Sequence, residues 1–164
     1  MIIFLMVKVN SDSWESMLRD ASSSFDLEAT IGIINYYRVR YHDVYARALR
    51  LFHGGFFEIF MSPDRDCIYF HVGFRRPKHW VLLCPKCFTC TCPDFFYNIV
   101  MKRVREVCMH ILACLMLISY SLGEKSYGRS AASIKTYLVT INEMPGIVRA
   151  ILGAPIWPKE EEKE

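Results

Sequence analysis

The sequence predicts an α+β domain in which a small antiparallel β-meander leads into a zinc-stapled finger, flanked by N- and C-terminal helices. Three observations predict it. Up to Gly55 the apolar residues recur at helical spacing. From Phe56 to Cys90 they fall instead into short aromatic and β-branched runs broken by turn residues. Between Cys84 and Ala113 the chain reads CPKCFTCTCPDFFYNIVMKRVREVCMHILA. There two thiols one residue apart (Cys90, Cys92) are followed, after fifteen residues, by a thiol and an imidazole one residue apart (Cys108, His110).

Length and composition set the frame. A chain of 164 residues suffices for one domain with a substantial core. It is 52% hydrophobic and 23% charged, which fits a globular chain rather than a disordered one. The expected organisation is a single domain over residues 1–157 with a charged tail at 158–164. Inside it lie a helical part at 11–53, the meander and finger at 56–122, and C-terminal helices at 130–153. Net charge is a mild +3, so a partner has to be argued from where the charges sit.

The elements follow in order. Asp12 and Glu15 make a capping box for a short helix that ends near Ser22. Asp26 caps a second helix through Leu27, Ile31, Ile34 and Tyr37, and a third starts at Asp43 and stops at Gly54-Gly55. Between these two, Tyr36, Tyr37, Arg38, Arg40 and Tyr41 mix rings with cations. That mixture suits a solvated helix face, or else a binding surface. Strands are expected at Phe56–Met61, Cys67–Phe74 and Trp80–Cys84, with a short fourth at Phe88–Cys90; Ser62 to Asp66 forms the first turn. Pro93 suits the first position of a helix running to about Met101. A further helix begins near Cys108, buries Ile111, Leu112, Leu115 and Ile118, and stops at Gly123. Beyond it, helices are expected from Ser130 to about Ile141 and from Pro145 to Leu152.

Seven cysteines are present, five of them between Cys84 and Cys108. The opening Met1–Met6 run lacks the basic start and the length of a secretory signal. The longest apolar run, Ile111 to Tyr120, is well short of the roughly 18 residues of a membrane span. The expectation is an intracellular, reducing location, cytoplasmic in a prokaryote and nuclear in a eukaryote, where clustered cysteines bind metal more often than they pair. Cys90, Cys92, Cys108 and His110 supply the four soft donors of a tetrahedral zinc site, and four protein ligands leave no position for water. One structural Zn2+ is the expected cofactor. A competing set pairs the Cys84-Pro85-Lys86-Cys87 knuckle with Cys90 and Cys92. It leaves Cys108 and His110 unexplained and crowds four ligands onto one strand end. Cys114 reads as a core residue of its helix and Cys67 as a strand residue.

No catalytic constellation is legible. Gly123-Glu124-Lys125-Ser126 lacks the upstream glycine and strand of a phosphate-binding loop, and no His is followed two residues later by the Glu of a zinc deaminase. Basic residues do gather around the finger: Arg75, Arg76, Lys78 and Lys86 on the hairpin side, and Lys102, Arg103 and Arg105 in the spacer between the ligand pairs. Such a cluster suits phosphate neutralisation, with Phe74, Trp80, Phe88 and Phe96 nearby for stacking. It also suits the plainer task of balancing a site that three thiolates and a dication leave at −1.

The pattern Cys-x-Cys, spacer, Cys-x-His and an apolar helix carrying Ala113 resembles the SWIM zinc finger. The longer context is similar to the small SWIM subunit of Shu-type recombination complexes: Cys87-x-x-Cys90-x-Cys92-Pro93-x-Phe95, then Cys108-x-His110-x-Leu112-Ala113. The helix Ala46 to Phe52, the strand Phe57 to Met61, the Ser62-Pro63 turn and the strand through Val72 extend it to roughly residues 43–118, leaving both ends of the chain uncovered. The resemblance implies a non-catalytic protein of homologous recombination and DNA repair. Such a protein binds a RecA-like recombinase paralogue (an ATPase), assists recombinase loading on single-stranded DNA, and needs no small-molecule substrate and no membrane. A stand-alone nucleic-acid-binding zinc protein is the competing expectation.

Overall fold

A computed structural model of the chain describes residues 7–9, 14–62, 66–130 and 132–138. Three helices come first after a short strand, β1 (Val7–Val9): α1 (Trp14–Ala21), α2 (Leu27–Arg40) and α3 (His42–Gly54). Asp26 caps α2 as expected, its carboxylate accepting from the Ala29 amide. The Asp12 cap proposed for α1 lies outside the described residues.

The meander follows as β2 (Phe56–Met61), β3 (Ile68–Gly73), β4 (His79–Cys84) and β5 (Cys87–Cys90), each antiparallel to the one before. Alternation sorts its side chains by face. Phe57, Ile59, Phe70, Val72, Val81 and Leu83 enter the main core, while Phe60, Tyr69, Trp80 and Leu82 make an aromatic patch on the other side.

The described part of Ser130 to Ile141 is not the helix expected there. Ser133–Leu138 forms a strand, β6, which runs parallel to β2 and separates it from β1. Among the described residues the result is a six-stranded mixed sheet ordered β1-β6-β2-β3-β4-β5, wider than the meander alone. The reason is a period-two pattern with β-branched residues at the inward positions: Ile134 and Thr136 are buried, Ser133 and Lys135 exposed. Docking onto the free edge of β2 outweighs a weak helical period, and the Ser133 amide begins the pairing by donating to the Gly55 carbonyl. The helix expected at Pro145 to Leu152 lies outside the described residues.

At the centre is α4 (Met109–Ser121), nearly all of whose residues are buried. A helix apolar on every side has to be enclosed on every side. Here α1, α2 and α3 pack on it from one direction and β3, β4 and β5 from the other. No helix among the described residues is long and apolar enough to cross a membrane. Leu115→Ala in the middle of α4 should lower the unfolding free energy by about 2–5 kcal/mol. Val39→Ala on the exposed side of α2, where Val39 is 80% exposed, should change it by less than about 1 kcal/mol. Denaturant titration of the two variants compares them directly.

Candidate metal centre

Two chain segments meet at the site. The end of β5 supplies Cys90 and, past Thr91, Cys92. The N-terminus of α4 supplies Cys108 as its capping residue and His110 in its first turn. The ligating atoms of all four lie within 4.8 Å of one another, and all four residues are buried. Thiolates at about 2.3 Å from one tetrahedral ion sit about 3.8 Å apart, so the spacing suits a single ion.

The local backbone prepares the sulfurs for negative charge. The Cys92 amide donates to Cys90 Sγ at 3.4 Å and the Phe95 amide to Cys92 Sγ at 3.3 Å. Cys92 precedes the helical turn that opens with Pro93, and Cys108 caps α4, so the positive ends of two helices converge on the thiols. Hydrogen bonds from the Cys108 and Cys90 thiols hold the Cys92 thiol far below its ordinary range. Burial drives Cys90 and Cys108 the other way, well above theirs. A cation held here would compete with the protons that burial favours on Cys90 and Cys108. The Nδ1 atom of His110 is buried with no hydrogen-bond partner. An orphaned imidazole nitrogen beside three thiols fits a metal ligand, and the donor set as a whole could hold a metal ion.

The spacer between the ligand pairs is fixed from outside. Phe95–Met101 is a π-helix, wider than the α-helix expected. Asp94, its N-cap residue, accepts from Asn98 Nδ2 and pairs with Arg105. The Tyr37 hydroxyl on α2 accepts from the amides of Glu106 (2.9 Å) and Val107 (2.8 Å), immediately before Cys108. The Tyr41 hydroxyl donates to the Val104 carbonyl at 2.8 Å. Arg103 takes φ 50°, a left-handed conformation costly for a residue with a side chain, and these anchors on either side enforce it.

The basic residues singled out in the sequence separate into groups. Arg75, Arg76 and Lys78 line a cleft of about 600 Å³ whose floor includes Cys92 and His110. Arg47 of α3 joins them there; nothing in the sequence distinguishes it from other polar-face cations. Gly73 permits the cleft's tight rim, since a Cβ there would fall 2.0 Å from the Arg76 carbonyl oxygen. Lys86 lies apart on the β4–β5 turn and Lys102 at the end of the π-helix, both exposed. Arg103 and Arg105 line a different groove, of about 530 Å³, with Tyr36, Tyr37 and Tyr41. Because Arg105 is also tied to Asp94, it buttresses the spacer. His79, overlooked in the sequence, sits 4.7 Å from the His110 ring; burial first, then His110, lowers its pKa to about 4.

The remaining cysteines divide as follows. Cys114 is a buried residue of α4, as expected. Cys67 and Cys84, read as a plain strand residue and a plain hairpin residue, form a disulfide between the start of β3 and the end of β4. With Cys84 bonded to Cys67 and Cys87 exposed, the competing four-thiolate set does not assemble. The sequence expectation missed the bridge because it rested on compartment, whereas strand register brings these two sulfurs together. Comparison of the chain with protein-family models, curated proteins and solved structures finds no match.

Cys92→Ser and His110→Ala should each abolish stoichiometric metal binding, whereas Cys114→Ala and Cys84→Ser should retain one equivalent by elemental analysis. Tyr37→Phe strands two amides, and denaturant titration should find it less stable by about 1–3 kcal/mol with the metal more easily removed by chelator. Burial pushes the Cys90 and Cys108 thiols up, so metal binding should release protons and affinity should fall as the pH falls. Calorimetry in buffers of different ionisation enthalpy measures the proton count.

Proposed function

We propose that the chain is a non-catalytic, zinc-stapled adaptor of SWIM type. In this reading it binds a RecA-like recombinase paralogue and assists recombinase action on single-stranded DNA in homologous recombination. The observation that carries the reading is the burial of Cys90, Cys92, Cys108 and His110 as one cluster, with the ligand order and spacing of that finger. Three thiolates and an imidazole are soft donors suited to zinc. All four tetrahedral positions are then protein atoms, so the ion staples and does no chemistry. Its binding energy, on the order of 10 kcal/mol or more, is largely folding energy.

Two surfaces support the partner assignments. Single-stranded DNA is assigned to the cleft of Arg47, Arg75, Arg76 and Lys78, where exposed cations neutralise phosphates and Phe74, 45% exposed, offers a ring for stacking. The protein partner is assigned to the apolar surface of the spacer. Tyr97, Val100, Met101 and Val104 are all exposed there, Met101 at 64%. This surface belongs to the finger itself, between its two ligand pairs. The competing reading, a stand-alone nucleic-acid-binding zinc protein, draws on the same cleft and gives the spacer surface no task.

Binding of the isolated chain to a fluorescent oligothymidylate across a salt series separates the two. Four phosphate contacts predict a log–log salt slope of about −3. The adaptor reading expects weak binding, tightened by a RecA-like ATPase that co-purifies with tagged chain from its host and is lost in Met101→Asp. Tight binding by the chain alone, with no ATPase recovered, would make the stand-alone reading the correct one. Arg75→Glu with Lys78→Glu should weaken DNA binding in either case while metal content stays at one equivalent.

A further inference from the structure

Three cysteines lie outside both the metal cluster and α4. Cys67 and Cys84 form the disulfide, with Cα atoms 4.2 Å apart, and Cys87 is an exposed free thiol. Strand register sets all three in one row. Ile68 faces Leu83, so Cys67 falls opposite Cys84 one pair further along. On the other side of β4, Cys84 itself faces Cys87 across the two-residue Pro85-Lys86 turn. Directly opposed residues on neighbouring strands project to the same face of a sheet. Parity identifies that face, because Cys67 and Cys84 stand two residues from Tyr69 and Leu82 of the outer aromatic patch. Cys84 therefore has a cysteine beside it on each flank.

We propose that Cys67, Cys84 and Cys87 form a thiol–disulfide exchange site, with Cys87 as the attacking thiol and Cys84 as the shared sulfur. The Cys87 thiol loses its proton to solvent and the thiolate attacks Cys84 Sγ. A Cys84–Cys87 bond forms as the Cys67–Cys84 bond breaks; the electron pair leaves on the Cys67 sulfur, which takes a proton from solvent. One disulfide and one thiol enter, and one of each leaves, so no oxidant or reductant is consumed. The covalent tie moves from the β3–β4 pair to the β4–β5 hairpin. The metal ligands stay out of the exchange. Cys90 is three residues beyond Cys87, an odd step that turns it to the inner face of the sheet, where it is buried.

The test uses the full metal-loaded chain, incubated at about pH 8, then acid-quenched and alkylated. Peptide mapping by mass spectrometry should find two species in the wild type. One has the 67–84 bridge with Cys87 alkylated, the other the 84–87 bridge with Cys67 alkylated. Cys87→Ser should hold only the 67–84 bridge, and Cys67→Ser treated with oxidised glutathione should form the 84–87 bridge. The proposal is overturned if Cys67→Ser leaves Cys84 and Cys87 separately alkylated or glutathionylated. It is equally overturned if wild-type protein shows no 84–87 peptide after the incubation. One equivalent of metal in each variant keeps this outcome separate from the metal assignment, which fails on its own if the wild type holds none.

Discussion

Three thiols and an imidazole are buried together at the meeting of a strand end and a helix start, and the surrounding structure follows from the need to hold them there. Burial alone opposes charge on sulfur, raising Cys90 and Cys108 well above their ordinary range. Hydrogen bonds from the Cys108 and Cys90 thiols, with His110 beside them, oppose that effect and lower Cys92. Full deprotonation requires a cation. A metal held at such a site would couple proton release to folding, because each ligand pair arrives on a different segment.

Placement of the second pair depends on residues far away in sequence. Cys108 and His110 ride on α4, whose all-round burial locks it between the sheet and three helices. The spacer that leads into α4 is held by tyrosine hydroxyls of α2 and the α2–α3 corner, which satisfy backbone groups water would otherwise serve. The N-terminal helices are thus part of the site's support even though they carry none of its ligands.

The sheet keeps two kinds of cysteine chemistry apart by alternation. Cys90 faces inward to the core with Phe70 and Val81, whereas Cys67, Cys84 and Cys87 share the opposite face with the aromatic patch. Strand pleating makes such separation inexpensive, since an odd number of residues along a strand reverses the side to which a side chain projects.

Much of this was legible in the chain itself. Period and turn residues revealed α2, α3, the four-strand meander and α4, and the donor spacing identified all four members of the cluster before any fold was known. These are local signals, carried by neighbours within a few residues. Other features were decided only by tertiary structure. Ser133–Leu138 became a strand because β2 offered an edge to pair with. Cys67 met Cys84 through the β3–β4 register, across seventeen residues of chain. Tyr37 became an acceptor for Glu106 and Val107, and Arg47 joined the cleft over the metal donors, through the packing of separate elements. Residue types and spacing determine what a segment offers to bind or pair. Which partner it meets depends on the burial and pairing of the whole chain, including contacts between residues distant in sequence.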